Sequence, residues 1–130
     1  MPTGFHATTC KVATEDGVLV TVLGAPSTEE DDFYLMLQHK AKHDEQDVRF
    51  GMNKPYIEYC GQGWSWYGHI LSFNLSRDRI RVQMDSEAAA HMRNDGFIEV
   101  TFELNEVEFA DLRTAAEITF NSQPYFTDEA

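Results

Sequence analysis

The pattern of apolar and polar residues predicts a β-hairpin in the first part of the chain. Residues 5–12 combine threonine with apolar side chains, and residues 18–23 (VLVTVL) are rich in β-branched and apolar residues. Between them, TEDG at residues 14–17 is a turn sequence. We therefore expect two paired strands here.

A second hairpin is the clearest feature of the middle of the chain. Residues 64–75 have the pattern of one long strand, with Leu71 and Phe73 on its core face. SRDR at residues 76–79 turns the chain. Residues 79–84 then return with apolar and polar side chains in alternation, so that the even-numbered positions face inward.

Residues 27–40 carry two conflicting signals. Ser27 is a potential helix cap with Glu30 three residues later, which is the pattern of a helix start. FYLMLQ at residues 33–38 is instead a compact apolar run that suits a strand buried on both faces. The local sequence slightly favours the helix over the strand here, whereas residues 55–61 alternate weakly and are predicted to form a strand.

A short helix and a further strand follow the second hairpin. Asp85 or Ser86 is positioned to cap a helix through EAAAHM, and NDG at residues 94–96 stops it. Residues 97–104 (FIEVTFEL) alternate cleanly, which predicts a strand with its even-numbered side chains in the core.

The final helix begins at a capping signal. Asn105 and Glu108 form an N-x-x-E relative of the capping box, and Phe109, Leu112 and Ala116 recur at helical spacing. The tail NSQPYFTDEA is expected to be loosely held. Strands joined by short turns, with helices grouped late, predict an α+β fold. It comprises a mostly antiparallel sheet against which the C-terminal helix and the short helix pack.

Length and composition predict one globular domain spanning residues 1–130. Apolar residues make up 42% of the chain, which is enough for a packed core. There is no signal-peptide segment, and no apolar run approaches the roughly 18 residues needed to cross a bilayer, so we expect a soluble cytoplasmic protein. Neither cysteine belongs to a CxxC pair, and both are expected to be reduced.

The net charge of −12 narrows the class of partner. Twenty-two acidic against ten basic residues argue against nucleic acid and anionic lipid, and favour steering toward a basic protein. The alternative interpretation is an ordinary solvated surface. The acids cluster in three segments, namely Glu29, Glu30, Asp31 and Asp32, then Asp44, Glu45 and Asp47, and finally residues 99–117, where six acids accompany the single base Arg113.

The most unusual stretch is GQGWSWYGHI at residues 61–70. In a single strand, Trp64 and Trp66 point to one face and Tyr67 to the other. Because the apolar side chains that follow continue the Tyr67 face, that face is predicted to be core. The tryptophans then lie outward or under a neighbouring loop. Exposed tryptophan is a favoured anchor in protein interfaces, so Trp64 and Trp66 are candidate partner contacts.

The chemistry-bearing residues form no recognised catalytic or metal motif. Cys60 and His69 are the nearest nucleophile–base pair, but no nucleophile motif surrounds Cys60. There is no phosphate-binding or dinucleotide-binding loop, and no third ligand stands at a recognised spacing from His39 and His43. We therefore predict no catalytic residue, no cofactor and no metal.

A family resemblance is carried by motifs spread over residues 33–120. They are, in chain order, DEQD at residues 44–47, Gly51 and Met52, Tyr67 and Gly68, the hairpin turn at residues 75–79, and the ending at residues 99–112. Together they resemble the tenth immunity-protein family (Imm10-like) of bacterial polymorphic toxin systems. The chain departs from the family pattern around Trp64, Trp66 and His69, where smaller residues are usual.

The resemblance implies a non-enzymatic antitoxin, made beside its toxin and binding it in the cytoplasm. It also implies that FYLMLQ is a strand leading into the DEQD loop. An acidic immunity protein suits a basic toxin such as a nuclease, because it can occupy cationic surface meant for phosphates. The expected partner-binding residues are the two tryptophans and the acids at residues 29–32 and 44–47.

Two alternatives belong to other functional classes. A small hydrolase would use Cys60 and His69, and would need a pocket in which they converge. An adaptor or a homo-oligomer would use the tryptophans as a shared interface.

Overall fold

The structure, a computed structural model, describes residues 4–25, 33–40, 54–59, 65–92, 95–120 and 123–130. Ten strands and two helices lie within these ranges. In chain order they are β1 (Gly4–Ala7), β2 (Thr9–Glu15), β3 (Val18–Ala25), β4 (Phe33–Lys40), β5 (Tyr56–Tyr59), β6 (Ser65–Tyr67), β7 (Ile70–Leu75), β8 (Arg79–Met84), α1 (Ser86–Met92), β9 (Phe97–Phe102), α2 (Glu106–Thr119) and β10 (Phe126–Asp128).

The strands divide between two five-stranded sheets. The first sheet has the order β1-β9-β8-β7-β10, and its central pairs are antiparallel while both edge strands run parallel to their neighbours. The second sheet has the order β2-β3-β4-β5-β6 and is antiparallel throughout. The predicted α+β class, with mostly antiparallel pairing and a C-terminal helix, is confirmed.

One hydrophobic core joins the two sheets. Alternate residues of the central strands supply it, among them Leu23 and Leu35 from the second sheet and Val82 and Val100 from the first, all fully buried. Each strand therefore gives one face to the core and the other to the surface, as the period of two requires. α1 contributes the buried Ala88.

α2 packs against both sheets. The helix lies beside β2, β3 and β4, and the rings at its two ends reach the first sheet. Phe109 packs on Phe102 with ring centroids 6.3 Å apart, and Phe120 packs on Phe73 at 4.3 Å. The predicted core face of this helix is confirmed, because its apolar side chains at helical spacing are buried.

The predicted helix caps are also confirmed. The Asn105 side chain accepts from the Glu108 N–H at 2.8 Å, and the Glu108 carboxylate accepts from the Asn105 N–H at 3.1 Å. At α1 it is Asp85 that caps, accepting from the Ala88 N–H at 3.0 Å.

In the described part of residues 27–40, the structure has the strand β4 and not a helix. Residues 33–40 form a strand paired with β3 on one side and β5 on the other. Pairing on both edges and burial of Leu35 and Leu37 outweigh the local helix signal, since strand preference depends chiefly on packing context. The cap sequence itself, at residues 27–32, lies outside the described residues.

Two predicted long strands are each divided where the chain passes between sheets. Residues 5–12 break at Thr8, whose N–H donates to the Gly24 carbonyl at 2.8 Å as the chain enters the second sheet. Residues 64–75 break at Gly68 and His69, where β6 ends and β7 joins the first sheet. A strand hydrogen-bonds within one sheet at a time, so each transfer requires a bend that apolar patterning does not reveal.

The break at Gly68 and His69 reverses the side-chain orientations predicted around it. Both residues have left-handed backbone, with φ of +84° and +64°, which restarts the alternation of side chains. Tyr67 is 38% exposed although it was predicted in the core. Trp66 packs against the core although it was predicted to lie outward or under a neighbouring loop. Those two predictions are wrong.

A second irregularity affects the start of β7. The register between β7 and β8 shifts between Ile70 and Ser72, and Leu71 is 59% exposed. The prediction that Leu71 shares the core face of Phe73 is therefore wrong, because a bulge inserts one residue and turns its side chain to the surface.

The chain end is more ordered than its composition suggests. β10 pairs in parallel with β7, and Phe126 stacks on Phe120 at 5.6 Å. Arg113 on α2 also binds the Asp128 carboxylate at 2.7 Å. The expectation of a loosely held tail is wrong for residues 123–130, because aromatic packing and strand pairing anchor them.

We expect Gly68→Ala to lower the free energy of unfolding by about 1–2 kcal/mol, since an added Cβ disfavours left-handed backbone. A Cβ there would also lie 2.9 Å from the Lys54 Cδ. Gly24→Ala is the matched control, because its Cβ would meet ordinary van der Waals contacts. Urea unfolding checks both variants, and equal losses would contradict a special role for the left-handed turn.

Candidate partner-binding site

Only one of the predicted partner-binding residues lies in the part of the chain that the structure describes. Trp66 is on β6. Trp64, the acids Glu29, Glu30, Asp31 and Asp32, and the acids Asp44, Glu45 and Asp47 all lie outside the described residues, as does Cys60. Their role in binding stays a prediction.

Trp66 occupies the inner face of the second sheet. It sits opposite Ile57 in the β5–β6 pairing and packs against the core. Its ring meets the His91 ring of α1 edge-on, with centroids 5.7 Å apart. A half-buried ring in this position links β6 to α1, and only part of it is available to a partner.

The outer face of the second sheet carries an aromatic cluster that the sequence patterns did not single out. We define the tyrosine face as Tyr34, Met36, Tyr56, Glu58 and Tyr67. Strand registers place Met36 beside Glu58 and Tyr56 beside Tyr67. The Tyr56 and Tyr67 rings are in contact, with centroids 5.0 Å apart.

Glu58 is a buried carboxylate at the centre of the tyrosine face. Its side chain belongs to a residue only 7% exposed, and it accepts hydrogen bonds from two phenols. Tyr34 donates to Oε2, and Tyr56 donates to Oε1 at 2.6 Å. Burial, followed by this hydrogen bond, raises the pKa of Tyr56, so the phenol stays protonated and remains a donor.

An open groove adjoins the tyrosine face at Tyr34 and Met36. It has a volume of about 470 Å³ and is lined by Thr9, Val22, Gly24, Ala25, Phe33, Tyr34 and Met36. Most of this lining is apolar or aromatic, and Phe33 is 47% exposed at its end. Tyr34 and Met36 belong to both the groove and the tyrosine face, so the two features form one continuous surface.

The tyrosine face could not be predicted without knowing how β4 and β5 pair. Because β4 and β5 pair in this register, one set of side chains points to the outer face of the sheet. This set comprises Tyr34, Met36, Tyr56 and Glu58. A charged residue in the otherwise apolar YIEY run was the available signal. Without the register, however, no pattern along the sequence places Glu58 between two tyrosines.

The acidic segment at residues 99–117 contains carboxylates held by basic side chains or by the helix cap, and carboxylates exposed on α2. Glu99 is held by Arg81 at 2.8 Å and Arg79 at 3.5 Å, and these guanidiniums keep the pKa of its carboxyl below the usual range. Glu108 takes part in the helix cap. We define the acidic helix face as Glu106, Asp111 and Glu117, which are exposed on α2.

The single base of that segment is already engaged. Arg113 binds Asp128 at 2.7 Å and lies 3.7 Å from Glu117. Because its charge is offset by the chain's own acids, the acidic helix face keeps a negative potential. Val107 and Ile118, which are 70% and 45% exposed, add apolar area on the same helix.

His69 has a structural partner. Its Nδ1 lies 2.8 Å from Asp85 Oδ2, and the Asp85 N–H donates to the His69 carbonyl at 2.8 Å. Asp85 also caps α1, so this pair fastens the passage between the sheets to the helix that follows. A histidine oriented by a carboxylate is one half of a nucleophile-activating arrangement, but the other predicted half, Cys60, lies outside the described residues.

The described cysteine is poorly suited to nucleophilic chemistry. Cys10 is a free thiol on the inner face of β2. Burial raises its pKa to about 11, and the nearby carboxylates of Glu108 and Asp111 contribute in the same direction. The thiolate, which is the reactive form, is therefore scarce at neutral pH.

Within the described ranges, no group of three or more His, Cys, Asp or Glu side chains is arranged to hold a metal ion. Neither of the helices in this part of the chain is long and apolar enough to span a membrane.

Comparison with known protein families identifies a relationship for this chain. The family model described as Immunity protein 10 matches residues 6–110, which include the whole second sheet and the tyrosine face. A search of curated proteins finds no match.

The His69–Asp85 pair makes stability depend on pH. Burial alone would raise the pKa of Asp85, but the bonds from Ala88 and His69 outweigh it and lower the pKa. Asp85 therefore stabilises the fold above its unfolded pKa of about 3.9, and this contribution is lost as pH falls through the lower folded pKa.

We expect wild type to exceed Asp85→Asn in unfolding free energy by up to about 1 kcal/mol near pH 5.5, because asparagine keeps the cap but not the charge. The difference should shrink toward pH 2.5. Asp111→Asn, an exposed aspartate on α2, is the control. Urea unfolding across this pH range is the measurement, and a pH-independent difference would disprove the linkage.

Proposed function

The chain belongs to the immunity protein 10 family, and from that premise we propose that it binds a cognate bacterial toxin domain and blocks it. Membership in an immunity-protein family implies a toxin-neutralising, non-enzymatic inhibitor role. The match over residues 6–110 is the observation that carries this proposal, since it spans most of both sheets. We further propose that neutralisation takes place in the cytoplasm of a bacterium that encodes a polymorphic toxin.

Negative potential is the proposed means of attracting the toxin. The chain has a net charge of −12, and the acidic helix face is not neutralised by its only base. Complementary charge accelerates encounter between proteins and disfavours partners of the same sign. The proposed toxin therefore has a basic surface, and a nuclease, whose phosphate-binding surface is cationic, is the class that fits best.

Aromatic and acidic residues are the proposed contacts. Trp64 and Trp66 are retained as candidate anchors, together with the acids at residues 29–32 and 44–47. Trp66 is only half-buried, so part of its ring is open to a partner. Differences at such positions between immunity proteins would discriminate among toxins, because specificity is a difference between affinities.

The test is direct binding and protection with the toxin domain encoded beside this gene. We expect bacteria producing that domain to survive only when they also produce this protein, and the two purified proteins to form a stable complex. Survival equal to that of an empty-vector culture, together with no complex by calorimetry, would contradict the proposed function.

Electrostatic steering makes a separate prediction. We expect Asp111→Lys to slow association with the toxin domain about threefold or more at low salt, and to weaken the salt dependence of the association rate. Glu15→Lys changes charge equally on the β2–β3 hairpin and is the matched control. Stopped-flow association at several salt concentrations is the measurement, and equal effects of the two variants would show that α2 has no special role.

A further inference from the structure

We propose that the tyrosine face is the surface on which the toxin docks, and that Glu58 receives an arginine side chain of the toxin. This inference rests on the proposed function, and it assigns the contact to described residues that the sequence did not single out. It concerns the outer face of the second sheet, on the side opposite the inward-facing Leu35 and Leu37.

The Glu58 carboxylate is buried, which favours a cationic partner. A buried carboxylate is strongly disfavoured unless it is hydrogen-bonded and paired with a cation. Two phenols donate to it, one to each oxygen. Among the described residues, however, no lysine, arginine or histidine forms an ion pair with Glu58.

Both carboxylate oxygens of Glu58 retain hydrogen-bond acceptor capacity. An ionised carboxylate offers about four lone-pair sites, and the two tyrosines use one on each oxygen. Each oxygen can therefore accept one more hydrogen bond. A guanidinium presents two parallel N–H groups at the spacing of a carboxylate, so arginine matches this arrangement better than the point charge of lysine.

The groove that adjoins the tyrosine face fits the stem of an arginine. Val22, Tyr34 and Met36 provide an apolar bed, and the volume of about 470 Å³ exceeds what a single side chain requires. The methylene stem of an arginine can lie along such a bed while its head reaches a carboxylate. Tyrosine rings also stack favourably on guanidinium. The groove and Glu58 thus suit one amphipathic, positively charged side chain.

The chain's overall charge supports this occupant over an apolar or acidic one. A net charge of −12 favours approach of a basic surface, and Glu58 would then be the buried end point of that attraction. Exposed acids mainly affect the association rate, whereas a buried charge pair mainly affects the dissociation rate. The two kinds of contact can therefore be measured separately.

The experiment measures binding of the purified toxin domain encoded beside this gene. We expect Glu58→Gln to raise Kd at least about tenfold, mostly through faster dissociation, because the nearly isosteric amide removes the charge. The amide oxygen still accepts from one tyrosine, and the other tyrosine must turn its hydroxyl to accept from the amide NH2. Glu15→Gln removes the same charge from the same sheet, outside the tyrosine face, and should change Kd by less than about twofold.

A second pair of variants supplies the cation from within the chain. Met36 lies opposite Glu58 across β4 and β5, so Met36→Lys places an ammonium beside the carboxylate. We expect this variant to remain folded and to lose toxin binding, because its own charge occupies the site and repels the incoming arginine. Val20→Lys adds the same charge on the same face but opposite Gln38, and should bind far better than Met36→Lys.

The outcomes separate this inference from the function on which it rests. If wild type neither binds nor protects, the proposed function fails. If wild type binds while Glu58→Gln and Met36→Lys bind equally well, the function stands and the docking surface is elsewhere. Thermal unfolding of each variant verifies folding. Should Met36→Lys unfold, the comparison of Glu58→Gln with Glu15→Gln still decides the question.

Discussion

The orientation of the side chains around residues 65–70 depends on how the backbone passes between the two sheets. At Gly68 and His69 the chain leaves the second sheet and joins the first, through two consecutive residues with left-handed backbone. The β5–β6 register sets which side chains of the preceding strand face inward, and the passage restarts the alternation in β7. Trp66 packs against the core and Tyr67 faces outward, where its ring meets Tyr56. The bond between His69 and Asp85 holds the bend against the start of α1.

Much of the fold follows from local pattern, and the two divided strands share one physical origin. The capping box at Asn105, the Asp85 cap and the alternation of residues 97–104 are short-range signals, and the structure contains all three. Strand breaks at Thr8 and Gly68 depend instead on which distant strand supplies hydrogen bonds. The periodicity of apolar residues indicates which side chains are buried, but not which sheet a strand belongs to. The sequence pattern therefore predicted one strand where β1 and β2, and again β6 and β7, belong to different sheets.

β4 shows how tertiary pairing overrides local preference. Residues 27–40 contain a good helix start, yet the described part is a strand paired on both edges. The prediction of a strand came from the family resemblance, because the local sequence slightly favoured a helix. The tail shows the reverse error. Its polar composition suggested looseness, but Phe126 packs into an aromatic cluster that is assembled only in three dimensions.

The candidate site was less predictable than the fold. Net charge and aromatic content indicated a binding protein, and the family match agrees with that class. The arrangement of Glu58 between Tyr34 and Tyr56 depends on the register of β4 against β5, and a shift of one residue would turn these side chains to the opposite face. Register is set by the whole sheet, and it cannot be obtained from either strand alone.

The parallel edge of the first sheet also has a consequence for biosynthesis. His6 of β1 and Thr101 of β9 are bonded across 95 residues of chain. At about 5–20 residues per second, a ribosome needs roughly 5–20 s to deliver β9 after β1 has been made. The second sheet, whose strands follow one another in the chain, can assemble during that interval. The N-terminal strand must wait without its partner, so a newly translated molecule spends seconds open to proteases before its first sheet is complete.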